Sequence, residues 1–173
     1  MKKLSLEVLS LILYSSSALA WNTSVPAGTT VTGGNVSYGE NQSVYGTTIN
    51  QTVSGTQNIK AGGLSENSTI YDYALQDVEA GGKAIGTHIL MRGQQDVNGT
   101  AENSIVDKYA SMYVRSGGKA TGTEVNGGTF NVYAGGAIEK TNLNSGTQAL
   151  YGTSQNMTIG NGGTQNVNAV SYI

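Results

Sequence analysis

The chain has 173 residues, 25 of them glycine, one proline, one histidine and no cysteine, and its formal net charge is −2. Without cysteine there is no disulfide framework, and so few charges of either sign argue against nucleic acid or an anionic membrane surface as partner. The glycine-rich polar composition would suit disorder, yet the aliphatic residues keep a fixed register that a disordered tract has no reason to keep.

The opening residues read as a secretory signal peptide. Lys2 and Lys3 form a charged start, Leu4 to Tyr14 is mostly apolar although Glu7 interrupts it, and Ala18-Leu19-Ala20 is a small-x-small cleavage site. The apolar run is too short to span a bilayer. The mature chain is therefore expected to begin at Trp21, exported. Residues 21–35 are less regular than the repeats after them and form a candidate N-terminal cap.

From residue 36 to 169 a repeat can be counted. An aliphatic residue, a glycine three later and a second aliphatic 11 later recur as Ile59, Gly62, Ile70; Val78, Gly81, Ile89; Val114, Gly117, Val125; and Val132, Gly135, Leu143. The intervening step is eight (Ile70 to Val78, Ile89 to Val97, Val106 to Val114, Ile159 to Val167) or seven (Val125 to Val132, Leu143 to Leu150). A shorter connection of nine replaces the Gly-Gly type at Val44 to Val53, Val97 to Val106 and Leu150 to Ile159. A fixed period means stacked structural units. Helical repeats are longer, whereas here the aliphatics are largely β-branched, local alternation has period two, and Gly-Gly and Gly-Thr supply turns. The fold class is all-β: a parallel β-helix (solenoid) of about eight coils of 16–19 residues, forming a rod roughly 38 Å long at ~4.8 Å per stacked strand.

Two polar columns accompany the aliphatic ones. Ser68, Thr87, Ser104, Thr123 and Thr141 each lie two residues before a first aliphatic. Gln57, Gln76, Gln95, Gln148 and Gln165 each lie two before a second, and Met112 and Phe130 replace glutamine there. Replacement by long apolar residues places that column inside or half buried, where stacked amides can bond along the stack.

No catalytic set, cofactor site or metal site is expected. His88 is the only histidine and its neighbours Thr87 and Ile89 turn it outward. Asp72, Asp77, Asp96 and Asp107 are scattered, whereas a carbohydrate-active β-helix enzyme needs carboxylates converging on one groove. Gly81-Gly82-Lys83-Ala84-Ile85-Gly86 lacks the calcium nonapeptide pattern. Tyr45, Tyr133 and Tyr151 each directly follow a second aliphatic, so they face solvent and are candidate contact residues.

The repeats resemble a known family. Ser116-Gly-Gly-Lys-Ala-Thr-Gly-Thr-Glu-Val-Asn-Gly-Gly-Thr-Phe-Asn-Val132 is similar to the passenger repeat of AIDA-type autotransporter adhesins, and Gly81 to Val97 has the same pattern. The resemblance implies a right-handed parallel β-helix on a bacterial surface, carried across the outer membrane by a C-terminal barrel. It implies a role in cell aggregation, biofilm formation or host attachment. The implied partners are like molecules on neighbouring cells or host surface glycans and proteins. The family also implies a heptosyltransferase that modifies passenger Ser and Thr, with Ser116 and Ser145 as acceptors by motif position. The repeats leave no room for a membrane barrel of eight or more strands. Residues 170–173 break the frame, with Val170 and Ser171 where Gly-Gly is called for. The expectation is an incomplete chain, surface-displayed when joined to a translocator, or a truncated remnant left in the periplasm.

Overall fold

The computed structural model describes residues 22–168. The segment expected to be a signal peptide, Trp21 and the irregular end expected at 170–173 lie outside them. Every regular element among the described residues is a strand, and every strand pairing is parallel. The strands form one 14-stranded and one 8-stranded sheet. The chain is a parallel β-solenoid of about eight coils.

Each lower coil has three strips. The first is a four-residue strand ending on the second aliphatic, such as Leu75–Val78. The next is a three-residue strand such as Lys83–Ile85, and the last a two-residue strand such as His88–Ile89. In the upper coils the third strip runs straight into the next first strip, giving Glu124–Val132, Asn142–Leu150 and Thr158–Val167. The seven-residue steps lie on the first two of these long strands, because a straight run dispenses with a corner. Asn22–Val25 and Thr30–Thr32 pair in the same register with the coil above. Strands within the segment expected as a cap are therefore part of the stack.

Like side chains lie over like. Ile89 is the register partner of both Ile70 and Val106, and all three are fully buried. Val44, Ile59, Val78, Val97, Val114 and Val132 form the second file. The glutamine column points fully inward. Gln57 Nε2 donates to Gln42 Oε1 at 3.0 Å, Gln76 Nε2 to Gln57 Oε1 at 2.8 Å and Gln95 Nε2 to Gln76 Oε1 at 2.7 Å. The hydroxyl column joins it through Thr87 to Gln76 Oε1 and Ser104 to Gln95 Oε1, both at 3.0 Å. In the lower coils this polar file divides the core: Val25, Val44, Ile59 and Val78 cluster apart from Val36, Val53, Ile70 and Ile89. Met112 and Phe130 then fill the file and join the two halves into one cluster that includes Val97, Val114 and Val132.

The Gly-Gly pairs do two different jobs. Gly62, Gly81, Gly117 and Gly135 hold φ near +80°, a conformation costly to any residue with a Cβ. Their successors are packed against the coil below: a Cβ on Gly63 would lie 2.1 Å from Val44 O, and one on Gly118 2.1 Å from Val97 O. The first glycine turns the chain and the second lets the rungs close.

Candidate functional site

The first strip presents its alternate residues to solvent as a flat face. The position after the second aliphatic forms a column up this face, because each residue there donates its N–H to the aliphatic carbonyl one coil below. Tyr45, Lys60, Glu79, Asn98, Arg115, Tyr133 and Tyr151 occupy it in order. The three predicted tyrosines thus share one column, but only two meet. Tyr133 and Tyr151 stack with ring centroids 6.4 Å apart and planes 10° from parallel. Tyr45 stands alone, five coils below Tyr133.

Two further residues complete the patch. Tyr113 lies 6.4 Å from Tyr133, and the Arg115 guanidinium sits 5.2 Å from the Tyr113 ring and 4.7 Å from that of Tyr133. Arg115 is held there by Asp96 at 2.8 Å. Sequence reasoning missed Tyr113 because it precedes its aliphatic where the other tyrosines come after theirs. Period two still turns it outward, and that was the available signal. Asn131, Tyr133, Ala134, Ala149 and Tyr151 line a shallow groove of about 380 Å³. Aromatic rings, amides and one guanidinium make a surface suited to adaptable polar contact.

Below the aromatic patch the face is charged. Lys60 pairs with Glu79, and Asp77 and Asp96 are register partners on successive rungs. Asp96 is occupied, accepting from Gln94 Nε2 at 2.8 Å as well as from Arg115. Burial pushes the Asp77 carboxyl above its usual range, and the Asp96 and Glu79 charges add to this. Its Oδ1 is buried without a partner. This is the nearest approach to a carboxylate pair, but one member is neutralised and the pair lies on a flat strip. Asp72 and Asp107 are two coils apart, paired with Arg92 at 3.4 Å and with His88 at 2.8 Å. Among the described residues no three His, Cys, Asp or Glu gather as a metal site.

The two glycosylation candidates differ in setting. Ser116 is exposed at the second position of the turn closed by Gly118 N–H to Arg115 O at 2.9 Å. Ser145 precedes a glycine that makes no turn. It lies within the long strand Asn142–Leu150, half buried at a register irregularity, because the seven-residue step leaves no room for a corner.

A rod of stacked coils with a repetitive face is the architecture of an extended contact surface. The chain is similar to a solved structure described as the TibC-catalyzed hyper-glycosylated TibA55-350 fragment, with a TM-score of 0.68 and 31% sequence identity. The match covers 83% of this chain and 63% of that one, so the chain spans less than two thirds of the neighbour's length. No protein-family model and no curated protein matches the chain.

Proposed function

We propose that the chain is a passenger segment of a bacterial autotransporter adhesin, promoting cell aggregation, biofilm formation or host attachment without enzymatic chemistry. The observation that carries this is the in-register rod itself: outward residues repeat at one-rung spacing, so weak contacts multiply along the length. The aromatic–arginine patch of Tyr113, Arg115, Tyr133 and Tyr151 is the strongest candidate for such a contact. The likeness to the TibA fragment supports the passenger assignment, and with it an exported, surface-displayed setting when the segment is joined to a translocator.

Like molecules on adjacent cells and host surface glycans or proteins are the partners proposed. The neighbour's description as hyper-glycosylated supports a glycosyltransferase among them, of heptosyltransferase type, with Ser116 the more accessible acceptor and Ser145 the less.

The test is a fusion to a working translocator barrel. Cells displaying the segment should settle faster than cells displaying the barrel alone, and Tyr133→Ala with Tyr151→Ala should slow them. Equal settling with and without the segment would remove the proposal.

A further inference from the structure

We propose that the corner between the third and first strips is a binding edge for an extended, uncharged glycan. This deepens the attachment function proposed above and rests on it for its biological setting, though not for its chemistry.

The corner carries backbone strain. The lower coils use four-residue turns of one kind at two of their corners, closed by a hydrogen bond from the fourth residue to the first, with a positive φ at the third. Where such a turn joins first and second strips, that third residue is glycine: Gly28, Gly62, Gly81, Gly117 and Gly135 have φ of 76° to 82°. At the other corner the turns are Ser37–Glu40, Tyr71–Ala74, Leu90–Gly93 and Asp107–Ala110. Their third residues are Gly39 at φ 80°, then Tyr73 at 61°, Arg92 at 60° and Tyr109 at 67°. The same backbone that takes glycine on one side carries bulky side chains in the left-handed region on the other. Strain of this kind persists where a function holds it.

Packing does not account for these rings. Tyr73 is 72% and Tyr109 63% exposed, and Tyr38, in the first of these turns, is 88% exposed. The three tyrosines fall on every second coil, about 10 Å apart at two rungs per step. Between Tyr38 and Tyr73 lies a groove of about 320 Å³ floored by Glu40, Asn41, Ser54 and Thr56. A second, of about 420 Å³, runs beside Tyr109 and is mixed in character, with Leu90 and Met91 on one side and Asp107, Lys108 and Asn126 on the other.

Aromatic walls over a polar floor suit a sugar, whose C–H face stacks on a ring while its hydroxyls bond below. The advance per residue of an extended glycan is close to one rung of the rod, so rings two rungs apart can meet every second unit. Charge selects against a polyanion: Arg92 is paired with Asp72 and His88 with Asp107, and Arg92 and Lys108 also lie over the Tyr73 and Tyr109 rings. A protein partner would want a continuous apolar centre, whereas the exposed Met91 between Tyr73 and Tyr109 is flanked by the ion-paired Arg92.

The test titrates the full chain with cellohexaose, chitohexaose and xylohexaose, with a heparin hexasaccharide as the anionic arm, by calorimetry and amide NMR. At least one neutral hexasaccharide should bind, with shifts gathered at Tyr38, Tyr73, Arg92 and Tyr109. The double variant Tyr73→Gly with Tyr109→Gly should weaken binding by about tenfold or more while leaving Tm unchanged or higher, since glycine is what this turn prefers. The proposal is overturned if no neutral hexasaccharide binds, if only heparin does, if binding survives both substitutions, or if they lower Tm. These readouts need no cells, so the settling result stands or falls separately.

Discussion

Single residues show how closely the buried hydrogen bonds are matched to the repeat. Thr87 donates to the amide oxygen of Gln76, 11 positions earlier. Counting back 11 from Thr123 reaches Met112, and from Thr141 reaches Phe130. The hydroxyls of Thr123 and Thr141 are the ones left buried and unpartnered, together with Gln148 Nε2, which would reach down to the position Phe130 fills. An unpartnered buried hydroxyl is a liability that an isosteric methyl removes. Thr123→Val and Thr141→Val should each raise stability by about 1 kcal/mol, read as a Tm gain of ~2–4 °C. Gln76→Leu should cost about 3 kcal/mol, because it strands Thr87 and Gln95 at once. Asp77 yields a pH signature. Its folded pKa is raised, so the folded state holds the proton more tightly and stability falls as pH climbs from the unfolded value through the folded one. Asp77→Asn should therefore raise Tm relative to wild type at pH 7, and the difference should shrink at pH 3, as thermal melts at both pH values would show. The inward glutamine column was legible because Met112 and Phe130 betray its surroundings. The orphaned hydroxyls were not, since finding them needs the register between coils.

At the scale of elements, step lengths in the sequence carry the corners. The connection of 11 contains a four-residue glycine turn, and the connection of nine contains a two-residue one, as at Tyr45-Gly46. What stayed hidden is the second strip. Most of its inward residues, Thr48, Ser65, Ala84, Ala101 and Ala120, are too small to register as a hydrophobic period, and Ile138 is a large exception, so two strips per coil were visible and the third was not. Tyr73, Arg92 and Tyr109 were likewise silent, because no residue-type rule places a tyrosine or arginine at positive φ. The two glycines of a turn can be told apart by substitution. Gly117→Ala meets nothing within 4 Å and strains only φ, so it should cost about 1 kcal/mol. Gly118→Ala drives a methyl into a backbone carbonyl of the neighbouring coil and should cost about 3 kcal/mol. Chemical denaturation of both variants checks the order.

The whole molecule is a rod whose interior changes character along its length, from a polar file flanked by two apolar ones to an apolar bridge at Met112 and Phe130, above which Gln148 and Gln165 resume the file. Its exterior changes as well, from paired charges to stacked tyrosines. The architecture was readable because repetition makes every coil a second witness to the last. Function was less so: the contact patch depends on which outward residues fall on adjacent rungs, and Tyr45 separates from Tyr133 and Tyr151 only when the coils are counted. The settling assay belongs at this scale, since avidity is a property of the array and not of any one ring. The glutamine file also has a sense. In every amide–amide bond between these glutamines the later coil gives the proton and the earlier coil takes it. A coil laid down one residue out of step would turn the wrong side chain inward and leave an acceptor beneath it unanswered. The amides thus act as a template that each layer carrying a glutamine must match, adding a directional check to the register that the buried aliphatic files already set.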